Sequence, residues 1–195
     1  PRPGDLIFRD ISGPDGVPDG QVDATYDRTV IGSQFPDFTY SLNLYFDFKG
    51  FDFSVMFYGV QGRSLYEQGL LTVPFYNGNG GVTKEVADNR WTYENPSTTN
   101  PRLYIEKEFQ QTRSSYYVRD ASYLRIKNIE LGYTLPKLVL EKLKVLQNAR
   151  VFVNAQNAFT FTKHKDFDPE HSAFSINNGS YPVTRVISCG VKLDF

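Results

Sequence analysis

Residues 38–48, FTYSLNLYFDF, alternate without a fault. Phe38, Tyr40, Leu42, Leu44, Phe46 and Phe48 share one parity; Thr39, Ser41, Asn43, Tyr45 and Asp47 share the other. Successive side chains of a β-strand point to opposite faces, so a strand here has one apolar wall and one polar wall. After Lys49-Gly50 the pattern resumes, and a two-residue connection with Gly in a left-handed position makes a hairpin whose turn type stays open. That loop fixes the register. Phe46 then faces Phe53, Leu44 faces Val55 and Leu42 faces Phe57 on the apolar side, while Asn43 faces Met56 and Ser41 faces Tyr58 on the other. The same register opposes Asp47 to Asp52, a like-charge pair that costs a little unless it is hydrated.

Ordinary globular strands run to about 5–6 residues. These run to about 9–11, the number that crosses a bilayer when tilted by about 45°. At about 3.3 Å per residue such a strand rises roughly 25 Å, the height of the apolar band on an outer-membrane barrel. A net charge of −1 points away from nucleic acid and from a polybasic membrane anchor. No apolar run approaches the roughly 18 residues of a transmembrane helix, but alternating barrel strands keep mean hydropathy low, here −0.41. The single cysteine, Cys189, excludes an internal disulfide. The opening PRPGDLIF, with neither initiator Met nor leader, is expected to lie inside a longer protein.

Three further strands are predicted. SYLRIKNIELGYTL (122–135) carries Ile129, Leu131, Tyr133 and Leu135 on one face, with Leu124 and Ile126 in the opposite parity, which implies a bulge near Lys127-Asn128. ARVFVNAQNAFTFT (149–162) aligns Val151, Val153, Ala155, Phe159 and Phe161, with Asn157 as a misfit. VTRVISCGVKLDF (183–195) aligns Ile187, Cys189, Val191, Leu193 and Phe195 against Thr184, Ser188, Lys192 and Asp194. Arg185 is the one charge on its apolar face; roughly 23 Å up the strand, it stands at headgroup level, where it can meet lipid phosphates. Connections alternate in length: Lys49-Gly50 is short, 62–121 long, the helical PKLVLEKLKVLQN (136–148) short and 163–182 long. Outer-membrane barrels have short periplasmic turns and long extracellular loops, so a periplasmic C-terminus places both long connections and residues 1–37 outside. The closing SCGVKLDF, through Ser188, Gly190, Leu193 and Phe195, resembles the signal by which outer-membrane proteins are recognised for barrel insertion, which implies the barrel-assembly machinery as a partner.

PGDLIFRD, DGQVDATYDRTVIGSQFPDFTYSLNLYFDFKGFDFSVMFYGVQG, RWTYENPSTTNPR, YYVRDASYLRIKNIELGYTLP, NAQNAFTFTKHKDFDPE and YPVTRVISCGVKLDF occur in unbroken order. Together they resemble the C-terminal region of SusC/RagA-type TonB-linked outer-membrane proteins. The resemblance implies an all-β fold, in which residues 1–195 supply the C-terminal five strands of a 22-stranded transmembrane antiparallel barrel with long extracellular loops. It implies import energised through TonB, by way of a plug and TonB box not in this sequence. It also implies a SusD-like surface lipoprotein as partner and oligosaccharides or peptides as cargo. Physics adds that five unclosed strands would leave bare edges in hydrocarbon, so the stretch needs the rest of its barrel.

The acidic stretch DISGPDGVPDGQVDATYD departs from the calcium-loop template, since from Asp10 the fifth and sixth positions are Pro14 and Asp15. Turn-shaping Asp and Gly residues are expected there, with Asp19, Asp23 and Asp27 as weak oxygen ligands and no cofactor or metal otherwise. His164 and His171, seven apart near Asp166, Asp168 and Glu170, suit exposed loop positions better than a zinc site. Asp168 and Glu170 in one DPE turn make a poor glycosidase pair, and no enzyme is expected. The connection 62–121 holds Tyr66, Phe75, Tyr76, Trp91, Tyr93, Tyr104, Phe109, Tyr116 and Tyr117 among several arginines. Rings and arginines serve interface hot spots, and Trp91, Tyr93, Arg102, Tyr116 and Tyr117 are the candidates for substrate or lid contact. Lumen-facing candidates are Ser41, Asn43, Asp47, Asp52, Ser54, Glu130, Lys192 and Asp194. The function expected is outer-membrane import of nutrient oligomers; the alternative is a secreted all-β carbohydrate-binding or adhesive module.

Overall fold

The computed structural model describes residues 2–67, 73–75, 81–103, 112–143, 145–164, 167–171, 181 and 183–195. Tyr76, Tyr104, Phe109 and Asp166 lie outside the described residues. The chain divides into two compact units. One, formed by residues 35–63, 120–170 and 181–195, is built on a five-stranded antiparallel sheet.

Its strands are β1 (Phe38–Phe48), β2 (Phe51–Gln61), β5 (Tyr123–Thr134), β6 (Asn148–Thr162) and β7 (Val186–Asp194), in the order β1-β2-β5-β6-β7. The β1–β2 register is the one the alternation predicts, including Phe46 opposite Phe53, Leu44 opposite Val55 and Asp47 opposite Asp52. Lys49 (φ 49°) and Gly50 (φ 86°) are both left-handed, as a type I′ turn requires. The short connection from β5 to β6 carries helix α2 (Lys137–Leu143), inside the span predicted to be helical. Strand β7 starts at Val186 rather than Val183, so Thr184 and Arg185 precede it.

Register across the sheet stacks apolar side chains in rows. Phe48, Phe51, Tyr133, Val151 and Val191 make one row; Phe46, Phe53, Leu131, Val153 and Cys189 the next; Leu44, Val55, Ile129, Ala155 and Ile187 a third. Beyond it, Leu42, Phe57, Ile126 and Phe159 continue the same face only because of bulges. Between β2 and β5 the register shifts at Lys127, near the predicted position, which switches β5 parity and brings Ile126 and Ile129 to one face. Between β5 and β6 it shifts again, leaving Asn157 and Ala158 against Lys127. Two added residues restore β6 parity, so Phe159 and Phe161 rejoin Val151 and Val153. Asn157, the polar misfit, has φ 51°, a left-handed conformation that Asn tolerates better than most residues.

This apolar face is exposed over much of its extent: Phe38, Phe46, Phe48, Phe51, Leu131, Val153, Phe161, Ile187 and Val191 all stand open. Strand β1 is exposed on both faces. β1 and β7 are the outer strands, and each has one edge with no strand beside it among the described residues.

The other unit comprises residues 1–34, 64–119 and 171–180. It holds strand β3 (Ser64–Tyr66), which pairs with β4 (Val118–Asp120), and helix α1 (Lys84–Asn89). The predicted long connection 62–121 therefore carries regular structure of its own. Thr83 caps α1 by accepting the Val86 N–H, and Leu65, Val73 and Tyr117 are buried in this unit.

Candidate functional site

The sheet's second face gathers the polar residues that β-alternation sends there. Asp52 and Glu130 were expected on it, and both meet Arg150. The guanidinium donates to the Asp52 carboxylate through Nε at 2.8 Å and through Nη2, and to Glu130 Oε1 at 2.7 Å. Arg150 sits on β6 and Asp52 on β2, so the side chain must cross β5. It crosses at Gly132, where a Cβ would collide with both the guanidinium and the carboxylate. Any larger residue there would close the bridge. Asn154 extends the network, donating through Nδ2 to Asn128 Oδ1 at 2.7 Å and to Glu130 Oε2 at 3.3 Å. Arg150 thereby answers the Asp47–Asp52 repulsion foreseen from the hairpin register.

Higher on the same face, Arg125 is 1% exposed. It donates to both oxygens of Asp168 (2.8 and 2.6 Å), to Glu170 Oε2 (2.5 Å) and, through Nε, to Thr160 Oγ1 (2.8 Å). Lys127, the bulge residue, donates to Glu170 Oε1 at 2.5 Å and lies 5.5 Å from the Tyr58 ring centre. The Arg63 guanidinium donates to the Pro169 carbonyl at 2.8 Å. Charge-assisted, bidentate bonding of this kind holds the DPE turn against the wall. Asp168 and Glu170 thus answer cations, an arrangement unlike a glycosidase acid pair. His164, expected on the surface, is instead 4% exposed, with its ring 6.1 Å from that of Phe167. Spacing along the chain carries no sign of that burial.

Ser41, Asn43 and Asp47 share this face on β1, Ser54 sits in the row of Glu130, and Ser188 in the row of Asn154. Lys192 pairs with Arg150 in register, and Asp194 accepts from Asn148 Nδ2 at 3.1 Å. Gly190 lies beneath the Phe152 ring, in a space a Cβ would fill. Leu193 and Phe195 are exposed. Arg125, Lys127, Asn128, Arg150 and Asn154 were missed as site residues. The signal was present in the alternation of β6, which gives Arg150 and Asn154 one parity, and in a glycine among bulky neighbours at 132.

In the other unit, Trp91 and Tyr93 meet edge to face at 4.9 Å, and the indole covers Gly4. Arg102 donates from Nε to Asp5 Oδ1 at 2.5 Å and from its backbone N–H to the Gly4 carbonyl. Burial works to raise Asp5, but the Arg2 N–H and the Arg102 guanidinium together hold it below the ordinary carboxylate range. Tyr93 is 82% exposed and offers a free ring face. Tyr117 is 2% exposed, packed by Tyr66 and Tyr116, and offers none. Burial raises the Tyr116 hydroxyl, which lies 3.5 Å from Asn100 Oδ1, and Arg119 stacks over the Tyr116 ring. The acidic loop is organised by its carboxylates. Asp27 accepts the N–H groups of Asp23, Ile11 and Ser12, which lower its pKa. Asp23 accepts from Thr25 and Tyr26, and Asp19 from Gln21. No three His, Cys, Asp or Glu side chains among the described residues converge as metal ligands would.

No family model matches the chain. It is 33% identical to TonB-dependent receptor P3 of Formosa agariphila over 99% of its own length and 19% of that protein's. TonB-dependent receptor P26 of the same organism is 33% identical over 88% of the chain. TonB-dependent receptor SusC of Bacteroides thetaiotaomicron is 25% identical over the whole chain. Among solved structures, the RagAB peptide importer in its open-open state superposes with a TM-score of 0.70 and 28% identity, over 95% of this chain and 20% of that one. The chain spans about a fifth of the length of the curated relatives it matches.

Proposed function

Since the chain is a portion of a SusC/RagA-type TonB-dependent receptor, we propose that it forms part of an outer-membrane barrel importing nutrient oligomers, glycan or peptide, together with a SusD-like surface lipoprotein. One observation carries the reading. A five-stranded sheet turns an exposed apolar face one way and an ion-paired polar face the other, with both edges open among the described residues. Water would penalise the first face, and hydrocarbon would penalise the edges unless further strands closed them. A lipid-facing wall in a closed barrel satisfies both. Ser41, Asn43, Asp47, Asp52, Ser54, Glu130, Lys192 and Asp194 then line the lumen, and Arg150 ties the wall together from inside.

In this reading the C-terminus is periplasmic and Ser188, Gly190, Leu193 and Phe195 serve recognition by the assembly machinery. Segments outside this sequence couple the barrel to TonB. Trp91 and Tyr93 are the better candidates for lid or cargo contact, because Tyr93 has an open ring and Tyr117 has none. Arg102 and Tyr116 act by shaping that surface. The wall binds and conducts and carries out no bond chemistry.

The test is to express the native full-length receptor, fractionate the cell envelope and purify the receptor in mild detergent. Recovery in the outer membrane with a surface lipoprotein supports the reading, and the ligand retained by that complex identifies the cargo class. Recovery as a water-soluble monomer overturns it in favour of a secreted module.

A further inference from the structure

Arg185 differs from the two arginines that organise the polar face. Arg125 and Arg150 have carboxylate partners, whereas Arg185 makes no ion pair among the described residues. Its guanidinium lies 5.3 Å from the ring centre of Phe159, on the apolar side of the sheet. The position is built. Asn157, left-handed in the bulge of β6, donates from Nδ2 to the Thr184 carbonyl at 3.1 Å and so holds the approach to β7 beside Phe159. Phe159 and Phe161 are open at this end of the face. Lys163 follows two residues after Phe161, 87% exposed at its side chain and only 3.7 Å from Asp120.

A cation on a lipid-facing wall is costly at the bilayer midplane but nearly free at the interface. Stacking on an aromatic ring satisfies one face of the guanidinium and leaves its N–H fork pointing outward. That fork matches phosphate oxygens. We propose that Arg185, set on Phe159, is a binding site for the phosphate of an outer-leaflet lipid headgroup, with Lys163, just past the end of β6, a weaker second cation. The proposal rests on the reading that this face meets lipid.

The test uses full-length receptor in neutral detergent, following its thermal unfolding midpoint as dimyristoyl phosphatidic acid is added. Dimyristoylglycerol and inorganic phosphate are the comparison ligands. Phosphatidic acid is expected to raise the midpoint while neither comparison ligand does. Arg185→Gln should weaken the apparent affinity about fivefold, the equivalent of about 1 kcal/mol for one basic side chain at a lipid surface. Arg185→Lys keeps the charge but loses the stacked fork and should restore only part of that loss, and Lys163→Gln should lose less than Arg185→Gln. Unchanged affinity in Arg185→Gln overturns the site. An equal response to the diacylglycerol reduces the effect to apolar contact, and a response to inorganic phosphate reduces it to adventitious ion binding; either overturns the proposal. Absence of the receptor from the outer membrane would instead remove the underlying reading, a separate and distinguishable failure.

Discussion

The β1–β2 hairpin and the β5–β6 pair belong to one sheet and are built on different terms. The hairpin alternates perfectly, closes on a two-residue turn, and β1 carries no side-chain ion pair among the described residues. The β5–β6 pair is interrupted by bulges, closes through a helix, and carries Arg125, Lys127, Glu130 and Arg150 with their partners. Regular alternation is sufficient to make wall. Placing charges in fixed groups takes departures from regularity: a glycine for Arg150 to cross, and an extra residue, Lys127 itself, whose ammonium meets Glu170.

The comparison is tested most severely by reversing a face. Leu44→Arg on the hairpin should cost about 2–4 kcal/mol if its row meets hydrocarbon, and should sharply lower the folded receptor recovered from outer membranes. Asn43→Arg, one residue away on the polar face, should be tolerated. Equal losses from both would mean that the faces are assigned wrongly.

Next is the anchor on β5. Arg125→Leu strands Asp168 and leaves Glu170 with Lys127 alone, and because both carboxylates are partly exposed the expected cost falls below that of fully buried pairs, about 2–3 kcal/mol. Heat-dependent mobility of the purified receptor measures it. Adding Asp168→Leu should recover much of the loss, since the stranded charge is then removed while Glu170 keeps Lys127 as its partner. Additive losses would show that the group is not coupled.

The hairpin was legible down to its register because each apolar residue had a matching partner at a spacing set by one short turn. The β5 bulge was legible too, because Leu124 and Ile126 lie out of phase with Ile129 and Leu131. What stayed hidden depends on contacts distant in the chain. Arg125 reaches residues more than forty positions away, and Arg150 reaches Asp52 ninety-eight positions away. Local periodicity fixes which face each occupies and not which partner it finds. His164 is hidden in the same way: its local spacing reads as a surface loop, and only the folded chain buries its ring. Tyr117 likewise reads from sequence as one ring among many, and only packing separates it from Tyr93.

A smaller effect sharpens the bulge itself. Asn157→Val should cost about 1–2 kcal/mol, because a β-branched residue is poorly accommodated in the left-handed region. Asn157→Gly should be close to neutral in backbone terms while losing the hydrogen bond to Thr184. If the two substitutions have the same effect on the unfolding midpoint, the left-handed conformation is not what selects Asn there.

The smallest expected effect lies in the acidic loop, where Asp27 collects three backbone N–H groups. Those donors favour its ionised form and hold its pKa below the usual value near 3.8. A depressed carboxyl stabilises the folded loop above the unfolded pKa, and that contribution fades as pH falls through the lower folded value. Loop order should therefore be level from neutral pH down to about 4 and decline below it. Asp27→Asn removes the charge and should abolish that acid-dependent step while leaving the sheet's unfolding unchanged. Limited proteolysis of the 10–27 stretch across pH reads it directly. Cleavage that rises with acidity as steeply in Asp27→Asn as in the native chain would show that some other carboxylate organises the loop.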